Sequence, residues 1–194
     1  NAGLLVEGPF DATASFGKEG AGTRLFFYPG KSAFRAGTVD FEQWNVANIG
    51  TYSVAMGRNS EATATASYVG GGFDNVALGD YSTVPGGYKN RAEGTYSFAA
   101  GYRANAADDG SFVWSDLTPT TDYFTTTAPN QFLVRAFGGV GINTNDTRDS
   151  ALTVKRDAES GNIVRLQGYN SVDAMVVNTE GGVGIGTTGV IGKG

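Results

Sequence analysis

Histidine and cysteine are both absent from the 194 residues. Without histidine, the commonest acid–base side chain and the commonest metal ligand are missing. Ser-His-Asp triads, Cys-His pairs and Cys/His zinc sites are therefore excluded. Without cysteine, no disulfide holds the chain, which is compatible with secretion if something else does so. Charge is scarce too: 17% of residues are charged and the net charge is −5. An acidic chain lacks the basic patch that nucleic acid or an anionic membrane surface requires, so neither is expected as a partner. No apolar run approaches the ~20 residues of a membrane-spanning helix, so no membrane insertion is expected of this segment. No heptad pattern is present, and no secretory leader is visible in these residues. The first residue is Asn1, which reads as a fragment or a processed piece.

Large aliphatic side chains are also few, while glycine is abundant at 30 residues. Small side chains bury little apolar area each, so a self-contained core would be thin. Yet 12% of residues are aromatic, which argues against disorder. The chain reads as ordered but short of core.

What fills it is repetition. From Thr51 the sequence falls into four turns: TYSVAMGRNSEATAT, ASYVGGGFDNVALGD, YSTVPGGYKNRAEGT and YSFAAGYRANAADDG. A fifth begins as SFVWSD. Ser53, Ser67, Ser82, Ser97 and Ser111 lead the units, at spacings of 14, 15, 15 and 14. Gly57, Gly71, Gly86 and Gly101 follow four residues after their serines, and Ala62, Ala77, Ala92 and Ala107 mark the second half of each turn. A period of 14–15 is too short for a helical repeat and suits one coil of a β-solenoid with two short strands and two tight turns. The glycines fall where the coil must bend. The position two past each serine is read as inward. It holds only Val or Ala (Ala55, Val69, Val84, Ala99 and Val113). One such coil encloses too little apolar surface to offset the entropy of ordering it. The remedy expected is a homotrimer, three copies packed under closed symmetry.

A longer repeat lies near the C-terminus, where FLVRAFGGVGINT from Phe132 returns as MVVNTEGGVGIGT from Met175. Gly138, Gly139, Val140, Gly141, Ile142 and Thr144 match Gly181, Gly182, Val183, Gly184, Ile185 and Thr187. Between the copies, SALTVKRD and NIVRLQGY read as strands. Near the N-terminus, TRLFFYPGKSAFRAG reads as strand, Pro-Gly turn, strand. Four segments are expected: a strand-rich segment over 1–50, the repeat block over 51–116, a Thr/Pro-rich neck or linker over 117–131 and the C-terminal strand repeats over 132–194.

The SVAMG-type repeat resembles the head of trimeric autotransporter adhesins, the YadA-like head. The segments TRLFFYPGKSAFRAGTVDFEQWNVANIGTYSVAMG and SFVWSD…APNQFLVRAFGGVGINT look like bacterial and phage tail-fibre-domain proteins. The resemblance covers nearly the whole chain. It implies an all-β trimeric fibre whose repeats form a left-handed parallel β-roll, flanked by β-prism-like strand-rich segments. It also implies an extracellular setting, at a cell surface or on a virion or tail fibre. Pro85 in a strand position and the alternation between 14 and 15 residues depart from the adhesin pattern.

No catalytic set, metal site or cofactor is read from the sequence. The glycines of GGVGINT and GGVGIGT lack both the helix and the Lys-Ser/Thr pair of a phosphate loop, and read as bends. Asp108, Asp109, Asp116, Asp122, Asp146 and Asp149 lack calcium-loop spacing and read as turn residues. Trp44 and Trp114 flank the repeat block and are expected to cap its core. Phe73, Tyr88 and Tyr102 recur at one turn of successive coils. They are the candidate surface-binding residues if exposed, and gap fillers between neighbouring protomers if packed. Three functions are carried forward. The first is an attachment fibre whose partner is a host glycan or surface protein. The second is a passive shaft with recognition elsewhere. The third is a glycan-depolymerising tailspike, which the missing catalytic signature disfavours.

Overall fold

In the computed structural model the described residues are 5–13, 17–117, 121–147, 150–155, 162–167, 173–178 and 183–185. Gly181, Gly182, Thr187 and Asp149 lie outside them. The described residues are rich in strand, and the protein is all-β. Two compact units divide it, Asn1–Arg135 and Ala136–Gly194.

The first unit opens with a hairpin, β1 (Gly22–Tyr28) and β2 (Ala33–Val39), joined by a 3-10 turn at Pro29–Lys31. Proline presets the turn's φ, as the Pro-Gly reading anticipates. From β2 onward all pairing in this unit is parallel. The first sheet runs β1-β2, then β3 (Val54–Arg58), β5 (Tyr68–Val69), β7 (Thr83–Val84), β10 (Phe98–Tyr102), β12 (Phe112–Ser115) and β14 (Phe132–Arg135). A short β8 (Gly87–Tyr88) also pairs with β10. The second sheet stacks β4 (Glu61–Ala62), β6 (Val76–Ala77), β9 (Arg91–Ala92), β11 (Ala104–Ala106) and β13 (Phe124–Thr125). Successive repeats thus lie in register, each a rung above the last. Residues 117–131 contribute to this stack, because Phe124–Thr125 adds a rung to the second sheet.

Strand parity decides what faces inward, since neighbours along a strand point to opposite faces. The inward column of the first sheet is Arg35, Ala55, Val69, Val84, Ala99 and Val113, all fully buried. The second sheet contributes Ala62, Ala77, Ala92 and Ala106, equally buried. The core is therefore Ala and Val almost throughout. Small side chains there allow two sheets of two-residue strands to approach closely.

The five leading serines are buried beside this core. Ser53 Oγ donates to Gly50 O at 2.6 Å, and Ser67 Oγ to Ala64 O at 2.8 Å. In these two the hydroxyl turns back on the chain just before it, which suits serine at the entry to a strand. The glycines settle into a column that differs from the sequence alignment. Gly57 and Gly101 belong to it, but between them stand Gly72 and Gly87 in place of Gly71 and Gly86. A Cβ on Gly57 would lie 2.5 Å from Gly72 O, and one on Gly72 would lie 2.1 Å from Gly87 O. Around Gly71 and Gly86 the space is open. The middle rungs hold one more residue than the first and last, and that residue is absorbed before the stacked glycine.

Both corners of each rung take left-handed backbone. Tyr52, Ala66, Tyr81 and Tyr96 have φ between 52° and 59° at one corner. Asn59, Asp74, Lys89 and Arg103 have φ between 52° and 55° at the other. Such values are uncommon outside glycine. Each strained corner is tied to the rung before it: Ala66 N donates to Thr51 O, Tyr81 N to Thr65 O and Tyr96 N to Asp80 O, all at 2.8–2.9 Å.

In the second unit, β15 (Val140–Ile142) pairs in parallel with β16 (Leu152–Val154), while β17 (Asn162–Gln167), β18 (Asp173–Asn178) and β19 (Val183–Ile185) form an antiparallel sheet. The two copies of the VGI core are thus β15 and β19, one in a parallel pair and one in an antiparallel one.

Candidate interaction surfaces

The residues between the inward positions of the first sheet point away from the core. One outward column is Phe34, Val54, Tyr68, Thr83, Phe98, Phe112 and Phe132. Ala36, Met56, Ala100, Trp114 and Val134 lie on the same face. Phe98, Phe112 and Phe132 stack with ring centroids 4.7 and 4.6 Å apart. Tyr68 and Trp114 are each 38% exposed, and Phe132 is 72% exposed. The face is apolar and continuous across the strands. Trp114, expected as a cap, stands on it, two residues from Phe112 and so with the same parity.

Trp44 does cap the core. It is fully buried, donates from Nε1 to Ser60 O at 2.9 Å, and carries Phe26 against it edge-on at 6.1 Å. Below it, Arg35 closes the inward column, a role the sequence did not signal. The guanidinium is fully buried and has four acceptors: Phe34 O at 2.9 Å, Ser53 O at 3.1 Å, Ser53 Oγ at 2.8 Å and Ala62 O at 2.9 Å. Burial pulls it down to about 10. At the other end of the stack, Arg135 donates from Nε and Nη2 to Ser115 Oγ at 3.0 and 2.6 Å and lies over the Phe124 ring. A hydrogen-bonding cation thus occupies each end, where the repeat of small residues stops.

Phe73, Tyr88 and Tyr102 form a ladder, with ring centroids 5.5 and 5.3 Å apart and planes within 12° of parallel. Cations stand over them: Arg58 over Phe73, Lys89 over Tyr88 and Arg103 over Tyr102. The ring faces are therefore occupied by one another and by these side chains, and the rings are half-buried. The more open aromatics are at the opposite corner. Tyr81 and Tyr96 stack at 5.1 Å and are 52% and 67% exposed.

The acidic turn residues hold backbone or a neighbouring hydroxyl. Asp109 Oδ1 accepts the Thr95 N–H at 2.7 Å, Asp80 Oδ1 accepts the Thr65 N–H at 2.9 Å, and Asp108 Oδ2 accepts from Thr126 Oγ1 at 2.7 Å. Asp40 is held below the usual carboxylate range by hydrogen bonds from Asn59 and Arg58. Glu61, on the outer face of the second sheet, is pushed up by burial.

The combination of small buried Ser and Ala, a stacked glycine and an outward apolar face recurs rung after rung. It has a counterpart among known families. Residues 49–67 and 92–112 match the YadA head domain repeat, in two copies. The YadA-like resemblance of the SVAMG-type repeat thus rests on an independent match, and the two copies bracket the rungs between them. No curated protein and no solved structure matches the chain.

Proposed function

We propose that this chain is a non-enzymatic segment of a trimeric extracellular fibre that attaches to a cell surface or host receptor, within an adhesin or a tail fibre. The observation that carries this is the outward apolar face of the first sheet. Single soluble chains rarely expose contiguous apolar patches beyond a few hundred Å2. A face running from Phe34 to Phe132 is accounted for if further copies of the chain cover it. Three-fold closure leaves none of the copies with an open contact. The match to YadA head repeats supports the same arrangement. In this reading the rungs form a left-handed parallel β-roll. The hairpin of β1 and β2 caps it at one end. The Phe73–Tyr88–Tyr102 ladder braces the corner where its side chains meet a neighbour.

The test is absolute molar mass by light scattering after size exclusion, over a dilution series. A mass near three times 20.1 kDa, unchanged on dilution, is expected. Phe112→Glu, which places a charge between the stacked rings of Phe98 and Phe132 on that face, is expected to lower the mass. A folded chain of single-chain mass would overturn the reading.

A further inference from the structure

We infer that the outer face of the second sheet carries a binding cleft for a neutral saccharide, spanning several rungs. The cleft has a volume of about 280 Å3 and is lined by Asn59, Glu61, Asp74, Lys89, Arg91 and Tyr123, among others. That volume lies near the lower end of the ~300–1,000 Å3 of small-molecule pockets and suits a short saccharide.

Its construction follows from the register. Glu61, Val76 and Arg91 stand in one outward column, on β4, β6 and β9. Val76 therefore forms an apolar floor between a carboxylate on one side and a guanidinium on the other. Asp74 and Lys89, from the adjoining corner, form an ion pair at 3.8 Å. Tyr123 comes from outside the repeats. The Arg103 guanidinium donates to Thr121 O and so fixes the approach of that segment.

The polar groups select the class of ligand. Two carboxylates and two cations line the cleft, so its charge sums to zero and neither an anion nor a cation is favoured. Among the described residues the Glu61 carboxylate has no hydrogen-bond partner, and burial weakens its hydration. Arg91 spends Nε on Glu93 at 2.5 Å and keeps its terminal nitrogens. Acceptor and donor thus face each other across an apolar floor, beside an aromatic ring. A sugar matches this: its hydroxyls both donate and accept, and its C–H face packs on Val76 and Tyr123. A ligand here also stays clear of the apolar face, since the cleft is on the other sheet. The proposal deepens the attachment reading and rests on it, because it supplies the recognition that reading requires.

The test is saturation-transfer NMR on the full chain with the methyl glycosides of glucose, galactose, mannose and N-acetylglucosamine. Transfer to the ring protons of at least one glycoside is expected. Affinity is expected to fall at least about tenfold in Tyr123→Ala and in Glu61→Gln, a loss comparable to one charged hydrogen bond. Tyr96→Ala, at the opposite corner, is expected to leave it unchanged. No transfer from any glycoside, or transfer that survives both cleft variants, overturns the proposal. Light scattering on the same samples separates the two readings. A trimer that binds no glycoside removes the cleft proposal and leaves the fibre. A single-chain species that binds through Glu61 and Tyr123 does the reverse.

Discussion

Asn75 Oδ1 accepts both the backbone N–H and the side-chain amide of Asn90, at 2.9 and 3.1 Å. Both residues are fully buried, one rung apart. Asn90 continues the chain of bonds, with Nδ2 donating to Gly101 O at 2.8 Å and Oδ1 accepting the Ala104 N–H at 2.9 Å. The pair stitches three rungs together where the chain passes from one sheet to the other.

Asn90→Ala leaves several buried backbone groups without partners, at about 1–3 kcal/mol each. A loss of about 3 kcal/mol is expected, read as a lower denaturant midpoint. Asn90→Asp sets a buried carboxylate oxygen against the Asn75, Gly86 and Gly101 oxygens, and should lose at least as much. An unchanged midpoint in the alanine variant would show that water replaces the ladder.

Neighbouring glycines should differ sharply. At Gly72, φ is +88° and a Cβ would lie 2.1 Å from Gly87 O. At Gly71, φ is +152° and nothing lies within 4 Å. Gly72→Ala is expected to cost more than about 4 kcal/mol, and Gly71→Ala about 1–2 kcal/mol from backbone strain alone. Thermal melts of the two variants check this. Equal losses would mean that the stacked column runs through the wrong glycine.

The two tryptophans report on different surfaces. Trp44 is fully buried, whereas Trp114 is 38% exposed on the apolar face. If other copies cover that face, Trp114 emission in Trp44→Phe should resist acrylamide about as well as Trp44 emission in Trp114→Phe. Ready quenching of Trp114 in the assembled protein would mean that the face is open to solvent.

Glu61 sets an acid-side signature. Its folded pKa is raised from 4.5 by burial, so the unfolded chain loses its proton first as pH rises. The group therefore costs stability above its folded pKa, and that cost disappears as pH falls from there to about 4.5. Glu61→Gln should stabilise the protein at neutral pH, with the difference from wild type vanishing below about pH 4.5. A difference that is constant across a pH series of melting temperatures would place its cause elsewhere.

Much of the stack was legible because its period is printed in the chain. Ser53 through Ser111 and the inward Ala55, Val69, Val84, Ala99 and Val113 recur at nearly fixed spacing, and the structure buries all of them. What escaped lies where that spacing changes. Phe112 pairs with Phe132 and Ala104 with Phe124, each twenty residues on, so the Thr/Pro-rich stretch hides one further strand and the next rung follows directly after it. Arg35 takes an inward place because three of its four acceptors are carbonyls, which leave no trace in side-chain patterns. Gly72 and Gly87 could not be told from Gly71 and Gly86 in GGG and GG runs, since register depends on where the extra residue is absorbed. The cleft escaped too: Tyr123 reaches it from outside the repeat block.

In both sheets of the first unit the strands pair in parallel, rung to rung, beyond the opening hairpin. Those hydrogen bonds lie along the stacking direction. A pull from end to end therefore loads the rungs in series, and the rung with the fewest bonds yields first. Strands of two residues, such as β5 and β7, are the weak links, while the longer β10 and β12 hold. Stretched, such a stack would lengthen stepwise, dissipating work one rung at a time in the manner of a shock absorber.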